Sequence, residues 1–64
     1  MTWELYEVWT EDSVGHQELV DTTKSLKEAQ LLAKKSLEEE EIEISMIFQE
    51  TEDGDIIEIE RLTL

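Results

Sequence analysis

The sequence contains no cysteine, no proline and only two glycines. Without cysteine, neither a disulfide nor a thiolate metal site can reinforce the fold. A domain of this size buries only about 60% of the surface that its unfolded chain exposes. We therefore expect one small domain, residues 1–64, of marginal stability. Self-association is one way for such a domain to gain stability.

Basic residues are also scarce, and they are clustered. Five Lys or Arg stand against 18 Asp or Glu, which gives a formal net charge of −13. Lys24, Lys27, Lys34 and Lys35 lie in one stretch that reads largely as a helix, and Arg61 is the only base outside that stretch. Because phosphates would be repelled, we expect no direct binding to nucleic acid or to anionic membranes. A basic protein remains a compatible partner.

Long apolar runs are absent as well. No run approaches the roughly 18 residues that a membrane span needs. The first residues include Glu4 and no base ahead of an apolar stretch, so we expect no signal peptide. We expect a cytoplasmic protein that binds no cofactor.

What the sequence does contain is regularly spaced apolar residues. Aromatic and β-branched residues at positions 2–10 predict a first strand, and residues 16–21 predict a second strand after a turn. Residues 42–49 alternate in polarity and predict a third strand, and 56–62 a fourth. With a helix between the two hairpins, the order is ββαββ. This order predicts an α+β two-layer sandwich, in which one helix packs on one face of a mainly antiparallel four-stranded sheet.

Ser25 and Glu28 match the capping box that begins many helices. The Ser25 hydroxyl would accept from the Glu28 backbone N–H, and the Glu28 side chain would reach back to the Ser25 N–H. Thr22 or Thr23 is an alternative cap. We expect the helix to run from Leu26 to about Glu39, where acids meet the negative end of the helix dipole. Helical geometry predicts one buried face, formed by Leu26, Ala29, Leu32, Ala33, Ser36 and Leu37.

The dipeptide Asp53-Gly54 is the strongest turn signal in the chain. It predicts a two-residue type I′ turn, which needs positive φ at both central residues. A two-residue loop would place Phe48 opposite Ile59 and Met46 opposite Arg61. A three-residue loop would bring an acid opposite Phe48 on an apolar face, so we expect the two-residue loop.

Both sides of the predicted sheet are partly apolar. On the first strand, Trp3, Leu5 and Trp9 share one side, and Tyr6 and Val8 share the other. One helix covers one face only, and an uncovered apolar patch usually marks an interface. The residues that we expect on the uncovered face are Trp3, Trp9, Ile47, Ile56, Leu62 and Leu64. We expect a second copy of the chain to cover them in a homodimer.

No combination of residues predicts catalysis. His16 is the only histidine, and Ser13 and Asp12 are near it only because they share its turn, so we expect an exposed histidine. The acidic segment 50–55 offers oxygen ligands for a cation but does not match the EF-hand spacing. We therefore expect no metal site, no catalytic residues and no enzymatic activity.

Two surface features leave alternatives open. Leu31 lies opposite the predicted buried face of the helix, among the lysines. A single exposed leucine is ordinary, and the alternative is a small contact site. The acids at 38–41 predict a solvated segment, and the alternative is a docking segment for a basic partner.

These observations predict a small acidic interaction or accessory domain that self-associates through the uncovered face of its sheet. The alternative is a nucleic-acid mimic of the kind found in phages and mobile elements, which would place carboxylates in the basic cleft of a DNA-binding protein. The lysines of the helix count against the mimic because such a cleft would repel them. The sequence by itself does not identify the partner or the process.

Overall fold

The computed structural model describes residues 5–63. Along the chain the elements are β1 (Leu5–Asp12), β2 (Gln17–Thr23), α1 (Leu26–Ser36), β3 (Ile42–Glu50) and β4 (Ile56–Thr63). The strands form one antiparallel sheet in the order β2-β1-β3-β4, and the helix packs on β2, β1 and β3. The predicted α+β fold is confirmed. Within residues 5–63, no helix is long and apolar enough to cross a membrane.

The helix begins at the predicted cap, but only half of the capping box forms. The Ser25 hydroxyl accepts from the Glu28 N–H at 3.4 Å. The Glu28 carboxylate does not reach back to Ser25. It accepts instead from the Thr23 hydroxyl at 2.8 Å, and the Ser25 N–H donates to the same Thr23 oxygen at 3.2 Å. The Ser25 N–H, which was predicted to donate to Glu28, is thus satisfied by Thr23.

The helix ends at Ser36, before the acidic segment and earlier than the predicted Glu39. Ala29 and Ala33 have no exposed surface, and Leu37 is buried, as the helical pattern predicts. Leu26, at the first helical position, is 37% exposed, so its predicted burial is wrong.

The core lies between the helix and one face of the sheet. It consists of Tyr6, Val8, Ala29, Ala33 and Ile47, against which Leu32 and Leu62 pack. Ile47 and Leu62 therefore lie under the helix, and their predicted position on the uncovered face is wrong. Both faces of the second hairpin are apolar in sequence. The prediction placed Phe48 under the helix and Ile47 and Leu62 on the uncovered face, and the structure reverses these three residues.

The second hairpin has a three-residue loop and not the predicted type I′ turn. The Gly54 N–H donates to the Thr51 carbonyl at 3.0 Å, and the Thr51 N–H donates to the Asp55 carbonyl at 2.9 Å. Gly54 has φ of +88°. Within residues 5–63 only glycines have positive φ, so Asp53 lacks the positive φ that a type I′ turn requires. Three-residue hairpin loops commonly place a glycine in this conformation at their last position.

The longer loop shifts the register by one residue. Phe48 lies opposite Glu58, and not opposite Ile59 as predicted. The register is restored by a bulge at Ile59, so Met46 lies opposite Arg61, as predicted. The pairing beside the loop is therefore wrong in the prediction, and the pairing beyond the bulge is right.

The first hairpin is built in the same way. The Gly15 N–H donates to the Asp12 carbonyl at 3.1 Å, the Asp12 N–H donates to the His16 carbonyl at 3.0 Å, and Gly15 has φ of +90°. Its bulge falls at Val20, five residues after the loop glycine, as Ile59 falls five residues after Gly54. The two hairpins are thus related by a pseudo-two-fold axis between β1 and β3.

Candidate functional site

The candidate site is the side of the sheet opposite the helix, which we call the open face. Because side chains alternate along a strand, the residues between the core positions of β1 and β3 point to this side. They are Leu5, Glu7, Trp9, Glu11, Ile44, Met46, Phe48 and Glu50. Their partners on the edge strands complete the face: Gln17, Leu19, Thr22, Ile56, Glu58, Arg61 and Thr63.

Two neighbouring rows cross the centre of the open face. In the first row, Met46 lies between Trp9 on β1 and Arg61 on β4. We call this the donor row, because an indole N–H and a guanidinium flank its apolar centre.

In the second row, Phe48 lies between Glu7 on β1 and Glu58 on β4. We call this the acceptor row, because a carboxylate flanks the apolar centre on each side.

Hydrogen bonds join the two rows at both ends. The Trp9 Nε1–H donates to Glu7 Oε1 at 2.9 Å. At the other end, Arg61 donates to Glu58 Oε1 from Nη2 at 2.9 Å and from Nε at 3.0 Å. Each carboxylate therefore uses one oxygen in these bonds and presents a second one beside it.

A shallow groove crosses the open face. It is lined by Glu7, Trp9, Gln17, Phe48 and Ile56, and its volume is about 200 Å³. Pockets for drug-sized ligands usually have about 300–1,000 Å³. The groove is therefore better suited to side chains from another polypeptide than to a cofactor.

The apolar residues of the open face differ in how far they are covered. Met46 keeps only 3% of its surface, so side chains of the same molecule shield it. Trp9 and Phe48 are half-buried, whereas Leu19 and Ile56 are 47% and 59% exposed. The most exposed apolar residues of this face are thus Leu19 and Ile56, which lie on its two edge strands.

The predicted interface residues fall into three groups. Trp9 and Ile56 lie on the open face and line the groove. Ile47 and Leu62 belong to the core side of the sheet. Trp3 and Leu64 lie outside the described residues.

Sequence reasoning missed three central residues of the open face, Glu7, Met46 and Phe48. The predicted register turned Phe48 toward the helix, and the acid that it rejected opposite Phe48 is in fact its partner, Glu58. The alternation along 42–49 shows that Met46 and Phe48 share a side, but no signal in that segment shows which side the helix covers.

His16 and the acidic turn take part in turn structure. Asp12 Oδ1 accepts from the backbone N–H groups of His16 and Val14, at 2.8 and 3.0 Å, and the His16 residue is exposed. In the second turn the Thr51 hydroxyl accepts from the Asp55 N–H at 3.2 Å. Over the chain between Leu5 and Thr63, no group of three or more His, Cys, Asp or Glu is arranged to hold a metal ion.

A second shallow groove lies on the helix side. It is lined by Asp21, Glu28, Leu31, Leu32 and Lys35, and Leu31 is 62% exposed, as expected. Its charged lining mixes both signs, with Asp21 and Glu28 against Lys35.

Comparison with known proteins adds no function. No family model matches the chain, and neither a curated protein nor a solved structure gives a match.

Proposed function

We propose that this protein is a small interaction domain that self-associates through the open face of its sheet. The observation that carries the proposal is the apolar centre of that face, where Trp9 and Phe48 border a groove. The helix packs on the opposite face, so it cannot shield these residues. Apolar patches rimmed by polar residues are typical of protein interfaces, and aromatic residues are enriched at their centres.

The small size of the domain also supports this function, and salt screens the repulsion that its charge would cause. A single small core leaves little stability in reserve, and burying a second apolar face would add to it. Two protomers of net charge −13 repel each other at long range. At about 0.15 M salt the screening length is about 8 Å, so this repulsion weakens much more than contacts within the interface do.

Sedimentation equilibrium tests the proposal at this salt concentration. The wild-type protein should form dimers between about 1 and 500 μM, which is the range of weak to moderate association. Replacing two groove residues, Phe48→Gln and Ile56→Gln, should shift the equilibrium toward monomer because the apolar contact area is lost. Circular dichroism would show that the variant remains folded.

The matched control is Leu31→Gln, which removes an exposed leucine from the helix side. It should leave the association constant unchanged. A wild-type protein that stays monomeric over the whole range would overturn the proposal. Equal weakening by the control and by the groove variant would also count against the open face as the contact surface.

A further inference from the structure

We infer that two copies bind face to face with two-fold symmetry, so that the donor row of each copy lies over the acceptor row of the other. In this arrangement, Arg61 of each copy pairs with Glu58 of the other. This inference rests on the proposed self-association and adds the geometry of the contact. The observation behind it is the arrangement of the two central rows, which are complementary to each other.

The open face carries four carboxylates, Glu7, Glu11, Glu50 and Glu58, and one guanidinium, Arg61, so the position of Arg61 decides which arrangement is the least repulsive. Arg61 is the only Lys or Arg within the four strands as the structure bounds them, and it lies on an edge of the open face next to Glu58. A two-fold axis that runs across the strands between the rows places each Arg61 against the partner's row of carboxylates. The same operation brings the second Arg61–Glu58 contact into place, because a two-fold interface makes every contact twice.

The other end of the rows differs from the Arg61 end. The one indole N–H of Trp9 is already donated to Glu7 of the same chain, so the two copies would meet there through the Trp9 ring and without a new indole hydrogen bond. At the centre of the rows, Phe48 of each copy would lie above Met46 of the other. Met46 is only 3% exposed, so the contact there would be made by Phe48 with the side chains that cover Met46.

The alternative axis, parallel to the strands, is less complementary. It would place β4 of one copy over β2 of the other. Arg61 of one copy would then face Leu19 of the other, because both residues extend the row of Trp9 and Met46. The Arg61 charge would then lie against an apolar side chain, and Glu58 would lie against Thr22. Of these two axes, only the one across the strands pairs the cation of each copy with a carboxylate of the other.

The geometry of the existing ion pair permits this exchange. The Arg61 and Glu58 side chains are 55% and 38% exposed, and the bonds between them use one oxygen of the carboxylate. The guanidinium has five N–H donors in a planar fork, so it can keep Glu58 of its own chain and also bind a second carboxylate. Association therefore adds contacts without breaking the pair within each protomer.

A charge-reversal mixing experiment tests the inference. Arg61→Glu alone gathers four carboxylates at the dimer contact, and Glu58→Arg alone gathers four cations. Each variant by itself should dimerise about tenfold or more weakly than wild type, because like charges would face each other. When the two variants are mixed, every facing pair is opposite in charge. Native mass spectrometry should then show heterodimers well above the share of about one half that random pairing of two equal species produces.

The matched controls are Lys34→Glu and Glu38→Arg, two exposed positions outside the sheet that undergo the same changes of charge. Their mixture should show no preference for heterodimers beyond random pairing. The double variant Arg61→Glu with Glu58→Arg should recover dimerisation near the wild-type level. In that variant the acid at position 61 of each copy again faces a base, at position 58 of the other copy.

The outcomes separate this inference from the proposed function. If the wild type dimerises but the Arg61 and Glu58 variants mix at random, the inferred contact is wrong and self-association stands. If the control mixture showed an equally strong preference for heterodimers, the effect would come from net charge, and the inference would be overturned. A monomeric wild type would remove the proposed function itself.

Discussion

Val8 and Ile47 lie directly opposite each other on the two central strands, and neither has any surface exposed to solvent. The pseudo-two-fold axis that relates the two hairpins passes close to this pair. The helix covers it through Ala29 and Ala33, which belong to the same cluster. The centre of the core is thus a small, enclosed contact between two β-branched residues and two alanines.

Shortening Ile47 should have a large effect on stability. Ile47→Ala should lower the free energy of unfolding by about 2–5 kcal/mol, and Ile47→Val by about 0.5–1.5 kcal/mol, because each leaves a cavity under the helix. Urea titration followed by circular dichroism measures both values. Ile56→Ala, at a position 59% exposed, is the comparison and should lower the stability of the monomer much less.

Ser45 carries a buried hydroxyl without a partner. The residue has no exposed surface, and its Oγ makes no hydrogen bond. Ser45→Ala removes this unpaired polar atom, and we expect the free energy of unfolding to rise by up to about 1 kcal/mol. Ser45→Thr should lower it, since the added methyl group must fit into a filled site. A clear loss of stability in the alanine variant would mean that the hydroxyl is bonded in solution.

The loop glycines should be intolerant of substitution for a backbone reason. Both have φ near +90°, and nothing lies within 4 Å of the position that a Cβ would take. Gly54→Ala should therefore cost about 1–2 kcal/mol through its backbone conformation alone. Gly54→Asn should cost less, because asparagine adopts positive φ more readily. Thermal melts of the two variants should rank them in this order, and equal melting temperatures would contradict the stated cause.

The helix cap offers a test at a single residue. Ser25→Ala removes the acceptor for the Glu28 N–H and should lower the free energy of unfolding by about 1 kcal/mol. Thr23→Val should have a comparable effect, because the Thr23 hydroxyl satisfies the Ser25 N–H and bonds to Glu28. Ser13→Ala, in an exposed turn, is the control and should be nearly neutral. Urea titration at one protein concentration gives all three values.

The net charge of −13 should make the melting temperature depend on salt. Raising the salt from about 10 to 150 mM shortens the screening length from about 30 to 8 Å and weakens the repulsion within the molecule. We expect the melting temperature to rise over this range in differential scanning calorimetry. Mild acidification toward the sequence pI near 4.1 should first act in the same direction. A steady fall with salt would mean that attractive Lys–carboxylate pairs outweigh the repulsion.

The parts of the fold that depend on local chemistry were predictable. The helix begins at Leu26 because Ser25 can cap it, and it ends near the acids because they oppose its dipole. The strands follow from alternation and from the absence of glycine and proline within them. The error in the second hairpin came from treating Asp53-Gly54 as the whole loop. A three-residue loop followed by a bulge leaves the distant pairing of Met46 with Arg61 unchanged, so the two alternatives differ only locally.

The sequence by itself therefore determined the order of the elements, the buried face of the helix and the segregation of charge. These features depend on residues near one another in the chain. Only the tertiary structure decided which side of the sheet the helix covers and which residues share the open face. Val8 and Ile47 could be assigned to one side only when β1 and β3 were paired, because both sides of these strands carry apolar residues. A period of two identifies a side but does not distinguish it from the other, and a bulge reverses the assignment beyond it.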